Sequence, residues 1–300
     1  MHIPQDLLRF LDPTPQPVAL ALGRVVRSEG RPERLEACLK AAEVLTRYIA
    51  IVSLASAAST RPECDDLPVV EGFNDNLSFG SFELSIHKSL SVKWDHPLRD
   101  DLRAAMRQTK RNPGKAGAHL QSFVELRNDL GHSITHVDVI KASKLFEEVD
   151  PIGRLIDCLD GFAPILSCPP AVVLKQEYRR GRLTARFNFH VGEGEPIPNP
   201  IELQDPVFEW KCPYLCTARG LLPLMPGIAL LARPDGRHGL YLLDGIKDEG
   251  LRYKGALDNH VRVSGDASDL ARWLANRHVG DADTSALRYS ALRYSRRFAL

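Results

Sequence analysis

The stretch from Arg31 to Ser59 constrains the fold of this chain more than any other. Its apolar residues recur at mostly helical spacing, at Leu35, Leu39, Ala42, Leu45, Ile49, Val52 and Leu54. Ser28 and Pro32 just before and inside the stretch are typical of a helix start. The pattern therefore predicts a long helix inside a hydrophobic core.

Further helical patterns follow it in the first half of the chain. Apolar residues at helical spacing indicate helices near residues 84–92, 96–110, 120–130 and 137–159. Gly131 is a natural terminator of the helix at 120–130. Pro151 must kink or divide the last one. Several substantial helices joined by polar loops predict an antiparallel bundle.

The pattern changes near Cys168. Residues 172–178 and 183–190 alternate in the manner of a β-hairpin, and short strands are expected at 207–210, 227–232 and 239–243. Three prolines, Pro196, Pro198 and Pro200, are expected to interrupt the sheet. A short helix at 267–276 is expected to complete the β-rich domain. The predicted fold class is α+β, with an N-terminal antiparallel helical bundle (1–165), a mainly β accessory or sensor domain (166–280) and a basic tail (281–300).

Composition limits the partners of this chain. A content of 44% hydrophobic and 26% charged residues is ordinary for a soluble globular protein. A net charge of +1 gives no general attraction to polyanions, so any such site must be a local patch. No stretch is expected to cross a membrane, and the N-terminus lacks the features of a signal peptide, which indicates a cytoplasmic protein.

Cysteine usage indicates neither a disulfide framework nor a metal centre. The six cysteines are scattered along the chain. Cys212 and Cys216 form the one pair whose spacing invites a zinc site, and no second pair of ligands stands nearby in the sequence. We therefore expect no metal and no cofactor.

The run from Arg127 to His132 carries the strongest chemical signal. An arginine presents a permanent, planar cation suited to phosphate oxygens, and a histidine exchanges protons near neutral pH. On an uninterrupted helix the two side chains would point about 140° apart. Gly131 relaxes this constraint, because a break in the helix lets the imidazole swing toward Arg127. Asn128 is placed to orient the phosphate or the histidine.

A structural interpretation stands beside the catalytic one. An arginine and a histidine near a helix end also hydrogen-bond terminal carbonyl groups and interact favourably with the helix dipole. The residue types alone favour this structural role, so the functional hypothesis depends on the wider context of the motif.

In that context the chain resembles the HEPN superfamily, whose signature is an arginine, a polar residue and then a histidine, set in a helical bundle. Arg127, Asn128 and His132 match this signature with four residues between the arginine and the histidine, and the resemblance covers residues 30–160. It implies a metal-independent endoribonuclease that works as a homodimer in toxin or antiviral defence systems. Arg127 and His132 would be catalytic, and Asn128 would support them.

The resemblance leaves a second function open. Some members of the superfamily are non-catalytic assembly or adaptor modules, in which Arg127 and His132 would make structural hydrogen bonds and the β domain would bind a partner or a ligand. RNA is the expected substrate of the nuclease, and a partner protein of a defence system is a further expectation. Lys110, Arg111 and Lys115 are candidates for the edge of an RNA groove, since clustered cations raise the local affinity for phosphates.

Overall fold

The fold is α+β, which confirms the predicted class. The computed structural model describes residues 5–60, 77–91, 93–106, 114–130, 139–179, 182–203, 212–233, 235–247, 250–257 and 260–263. In these ranges a helical half precedes a half of antiparallel sheets. The helices are α1 (Gln5–Leu8), α2 (Gln16–Arg27), α3 (Arg31–Thr60), α4 (Phe79–Ser91), α5 (Leu98–Met106), α6 (Lys115–Asp129), α7 (Val139–Val149), α8 (Pro151–Gly161) and α9 (Ala163–Leu166).

Helix α3 is the centre of the helical half, as its periodicity predicts. Leu39, Leu45 and Ile49 are fully buried, and helices α2, α4, α7 and α8 pack around α3. By length and composition this helix would pass as a membrane span, contrary to the expectation that no stretch of the chain would. However, 94% of its most apolar stretch is buried inside the protein, as in the core helix of a globular fold.

Pro151 divides the last long helical segment into α7 and α8. Asp150, at the N-cap of α8, has a positive φ of 47°, and its carboxylate accepts a hydrogen bond from the backbone N–H of Gly153 at 3.1 Å. Pro151 occupies the first turn of α8, where its missing N–H leaves no helical hydrogen bond unmade. The proline therefore starts a new helix, and the capping carboxylate stabilises that start.

The β half contains two antiparallel sheets. The first has the order β3-β2-β1-β4-β5 and the second the order β6-β7-β8-β9. The strands are β1 (Pro170–Arg179), β2 (Arg182–Phe189), β3 (Ile197–Leu203), β4 (Pro213–Thr217), β5 (Gly220–Pro223), β6 (Ile228–Ala232), β7 (His238–Lys247), β8 (Gly250–Lys254) and β9 (His260–Val263). The predicted hairpin is thus β1 and β2.

The proline-rich segment does not interrupt the first sheet, in contrast to the prediction. Pro198 and Pro200 belong to β3, which pairs along its length with β2. The strand lies at the edge of the sheet, and the two prolines are two residues apart, so their nitrogens face the same side. A proline is tolerated on an edge strand where its nitrogen faces away from the ladder.

The two halves share a hydrophobic core. Residues of both sheets belong to the same core cluster as α3, such as Leu243 of the second sheet and Val172 and Leu215 of the first. Other residues of the first sheet, which include Phe187 and Phe189, form a separate cluster. The predicted strand at 207–210, the helix at 267–276 and the tail at 281–300 lie outside the described residues. Both sheets are therefore joined to the helices through this core.

Candidate functional site

Helix α6 positions Arg127 in its last turn. Leu120, Phe123 and Leu126 bury one face of this helix in the core, which leaves Arg127 half-buried and Asn128 exposed. The helix ends at Asp129, and the N–H of Leu130 closes its last turn. His132 and Gly131 lie outside the described residues, so the approach of His132 to Arg127 stays a prediction.

Lys115, one of the candidate RNA-groove residues, lies far from Arg127 along α6. Lys115 is the first residue of α6 and is exposed, whereas Arg127 lies twelve residues later. At a rise of 1.5 Å per residue, about 18 Å of helix separates the two. Lys110 and Arg111 lie outside the described residues. Lys115 therefore marks the opposite end of α6 from the motif.

A group of charged residues on α3 lies within electrostatic reach of Arg127. Glu43 is held by Arg47 at 2.9 Å and by Lys40 at 3.7 Å, one turn away on either side of it. Arg47 also donates a hydrogen bond to Asp244 of β7 at 2.6 Å, and its guanidinium stacks 4.8 Å from the ring centre of Phe82. This arrangement ties the core helix to the second sheet.

Strand β8 adds two more cations to this group. Nε of Arg252 lies 2.8 Å from a carboxylate oxygen of Asp244, and Nζ of Lys254 lies 3.8 Å from Glu43. The side chains of the α3 and β-strand members are between 4% and 22% exposed. We call the seven residues the cationic cluster; they are Lys40, Glu43, Arg47, Arg127, Asp244, Arg252 and Lys254.

Arg127 influences the pKa of Glu43 together with the other cations of this cluster. Burial is the largest influence on the pKa of Glu43 and raises it, but the charges of Arg47, Lys40, Lys254 and Arg127 together lower it below its usual range. Arg127 makes the smallest of these four contributions, so its charge acts on the buried carboxylate more weakly than the charges of Arg47, Lys40 and Lys254 do. The charge of the arginine of the motif thus reaches Glu43 of α3.

The cationic cluster carries more positive than negative charge. Its five cations and two carboxylates have a formal net charge of +3. Burial, followed by the nearby charges of Lys40 and Arg47, lowers the pKa of Lys254 to about 8 although Glu43 opposes this shift. An excess of partly buried positive charge attracts an anion, because the surrounding protein screens it less than water would.

Other ionisable groups are less suited to catalysis. His119 of α6 is paired with Asp157 of α8 at 3.1 Å, away from the end of the helix that carries Arg127. Burial and the charge of Arg219 lower the pKa of His96 to about 4, and its Nδ1 accepts the N–H of Leu98 at the start of α5. His96 is therefore a neutral structural residue.

The described residues contain no group of three or more histidine, cysteine or acidic side chains able to hold a metal ion. Cys212 and Cys216 of the CxxxC pair are both buried at β4. Burial raises the pKa of Cys216 well above its usual range, which disfavours the thiolate that a metal requires.

The sequence interpretation missed most of the cationic cluster. Lys40, Glu43 and Arg47 stand at helical spacing within an otherwise apolar stretch, which was the available signal that one stripe of α3 carries charge. Their partners Asp244 and Lys254 lie about two hundred residues later in the chain, and the sequence gives no sign of that pairing.

Comparisons of the chain with protein-family models, with curated proteins and with solved structures find no match. The function is therefore inferred from the residues and geometry of the chain itself.

Proposed function

We propose that this chain is a metal-independent endoribonuclease that cleaves RNA through Arg127 and His132, supported by Asn128, as a homodimer in a toxin or antiviral defence system. The observation that carries the proposal is the position of Arg127, half-buried at the end of α6 and part of a cluster with a formal charge of +3. Such a setting favours a phosphate group over a neutral ligand.

The proposed reaction needs two proton transfers and the stabilisation of one charged intermediate. A histidine removes the proton of the 2′-hydroxyl as its oxygen attacks phosphorus, and a protonated histidine donates a proton to the departing 5′-oxygen. Arg127 binds the non-bridging oxygens, on which negative charge grows. One His132 cannot readily perform both transfers at once, so the second histidine comes from the partner copy across a two-fold axis.

The decisive experiment measures cleavage of mixed RNA by the purified chain, with and without a chelator. We expect cleavage in both conditions. His132→Ala should reduce the rate at least about 100-fold, the usual contribution of a general acid or base. His119→Ala, a change to another histidine of the helical half, is the matched control and should leave the rate unchanged. Unchanged cleavage by His132→Ala protein, or loss of cleavage in chelator, would refute the proposal.

A non-catalytic assembly or adaptor role is the second candidate, and one observation favours it. The charge of Arg127 stabilises the ionised form of the buried Glu43, so Arg127 has a structural role whether or not RNA binds. In this case Arg127→Met would lower the free energy of unfolding, and wild-type protein would cleave no RNA. Under the nuclease proposal, Asn128→Ala and His132→Ala lower the rate while the thermal midpoint stays within about 2 °C of wild type.

A further inference from the structure

A cavity of about 340 Å³ lies between the two sheets of the β half. Its size falls within the range of small-molecule sites in proteins. Strand β1, strand β6 and the segment before β3 supply its apolar walls, which are formed by Val173, Leu174, Pro196 and Leu230. Asn188 and His190, at the end of β2, add polar groups. The cavity therefore offers apolar faces together with a few hydrogen-bonding atoms.

His190 presents a hydrogen-bond acceptor there. The amide of Gln16 donates from Nε2 to the carbonyl of Gly194 at 3.3 Å, so its Oε1 is the atom that lies 3.3 Å from Nδ1 of His190. Nδ1 must then carry the proton, and Nε2 on the opposite edge of the ring keeps its lone pair. Burial, and secondarily the charge of His238, lower the pKa of His190 to about 4, which keeps the ring neutral.

Nε2 of His190 lacks a hydrogen-bond partner among the described residues, although the residue is only 2% exposed. Nε2 is not one of the fully buried polar atoms that lack a partner, so it keeps contact with the accessible space of the cavity. A ligand there that supplies a donor can bond to this lone pair. A molecule that binds in this cavity should therefore carry an N–H or O–H group.

One wall of the cavity, the segment between β2 and β3, is anchored in the absence of a ligand. The segment between β2 and β3 is anchored to the helical half by the ion pair of Glu193 with Arg27 at 2.8 Å and by a backbone hydrogen bond from Gly192 to Thr14 at 2.9 Å. Gly192 has a φ of 69° and passes close to the backbone of Asp12, which favours glycine at this position. A preformed site reduces the ordering cost of binding.

The rim of the cavity holds one ion pair and one further ionisable residue, His238. Arg237 and Glu195, both exposed at its rim, form an ion pair at 2.5 Å. With His190 neutral, the charges of Arg237 and Glu195 cancel, and His238 is the further ionisable residue that lines the cavity, compared with the five cations of the cationic cluster. Apolar walls, an amide and an imidazole acceptor suit a flat, uncharged molecule with donors and acceptors on its edge.

We propose that this cavity binds an uncharged nitrogen heterocycle of nucleobase type, held by a hydrogen bond to Nε2 of His190 and by the amide of Asn188. The ligand is either a free nucleoside or a base of single-stranded RNA, which share this chemistry. The inference goes beyond the proposed nuclease activity and does not depend on it, because no residue of the cavity belongs to the Arg127 site.

The test is calorimetric titration of the full chain with adenosine, guanosine, cytidine and uridine, with their 5′-monophosphates, and with a short single-stranded RNA. We expect at least one nucleoside to bind, and its 5′-monophosphate to bind no more tightly. Leu174→Trp places an indole in the cavity from a partly exposed position on β1 and should weaken binding at least about tenfold, or 1.4 kcal/mol. Leu84→Trp, at an exposed leucine of α4, is the matched control and should bind as wild type does.

The outcomes separate this inference from the nuclease proposal. Absence of nucleoside and RNA binding at millimolar concentration would overturn it, as would binding that Leu174→Trp leaves intact or that requires the phosphate. A third outcome is that RNA binds but free nucleosides do not. If Leu174→Trp weakens this RNA binding and Arg127→Ala retains it, the cavity proposal is supported, and the ligand is a base within an RNA strand. Nucleoside binding by a chain that cleaves no RNA would support the cavity and refute the nuclease.

Discussion

Replacing Lys254 with methionine should make the protein more stable at neutral pH, although it removes an ion pair. Burial and neighbouring cations lower the pKa of this lysine from 10.5 to about 8. At 1.36 kcal/mol for each unit by which the pKa is lowered, this difference corresponds to about 3 kcal/mol of destabilisation of the folded state when the lysine is charged. The side chain of Lys254 is 19% exposed, so water screens part of this destabilisation. We therefore expect Lys254→Met to raise the free energy of unfolding by about 1–2 kcal/mol.

The loss of the contact with Glu43 does not reverse this result. Glu43 keeps Arg47 at 2.9 Å and Lys40 at 3.7 Å, both closer to it than Lys254 at 3.8 Å. Methionine retains most of the apolar stem of lysine and adapts its shape to the space available. The substitution therefore removes a charge from a cluster that already has too many of the same sign.

The pH dependence provides the sharper test. The pKa of Lys254 is lower in the folded state, so the unfolded chain binds more protons between pH 8 and 10.5, and wild-type stability rises across that window. The advantage of Lys254→Met should be complete below about pH 8 and nearly gone at about pH 10.5. Urea unfolding at both ends of this pH window measures the difference in stability between variant and wild type. Lys144→Met, at an exposed lysine of α7, is the control. The reasoning would be refuted if Lys254→Met were less stable than wild type at pH 7. It would also be refuted if the difference in free energy of unfolding between variant and wild type were the same at pH 8 and at pH 10.5.

Three further substitutions test the packing. Tyr48→Phe removes a fully buried hydroxyl that lacks a hydrogen-bond partner among the described residues, and it should raise stability by about 1 kcal/mol; a loss of 1 kcal/mol in urea would contradict this. Gly117→Ala would place Cβ 2.7 Å from a backbone oxygen of α5 and should cost about 2 kcal/mol, whereas Gly194→Ala meets open space and should cost less than about 0.5 kcal/mol in the same thermal unfolding assay. Asp244→Asn removes the carboxylate shared by Arg47 and Arg252, and leaves the buried Arg47 with Glu43 as its carboxylate partner. It should cost about 3 kcal/mol, so a change below 1 kcal/mol would show that these ion pairs matter little.

Local patterns predicted the parts of the fold that depend on local structure. The period of α3 and the alternation in β2 appear in the sequence because each element buries one set of side chains, and Pro151 marks a helix start through its own backbone geometry. The proline-rich strand β3 escaped prediction, because its tolerance of Pro198 and Pro200 depends on its position at the edge of the sheet. That position is set by the partners of β2 and not by the sequence of β3.

The candidate site was only half accessible to sequence reasoning for the same reason. Arg127 was found because the motif is local, and its position in the last turn of α6 follows from the apolar stripe of that helix. The rest of the cationic cluster was not found, since it depends on residues of β7 and β8 that fold against α3 from far along the chain. The same long-range folding brings Gln16 to His190 and creates the cavity between the sheets.

The two proposed sites are joined to neighbouring helices of one core. Arg47 is a residue of α3 and joins that helix to Asp244 of the cationic cluster. Gln16 is a residue of α2 and contacts His190 of the cavity, and α2 packs along α3. Packed helices resist small displacements, so a ligand that shifts one of them changes the contacts of the other. If a nucleoside at His190 alters the affinity of the Arg127 site for RNA, RNA must alter the affinity for the nucleoside by the same factor. The β half would then regulate the helical half through the side chains that join them, without a separate hinge.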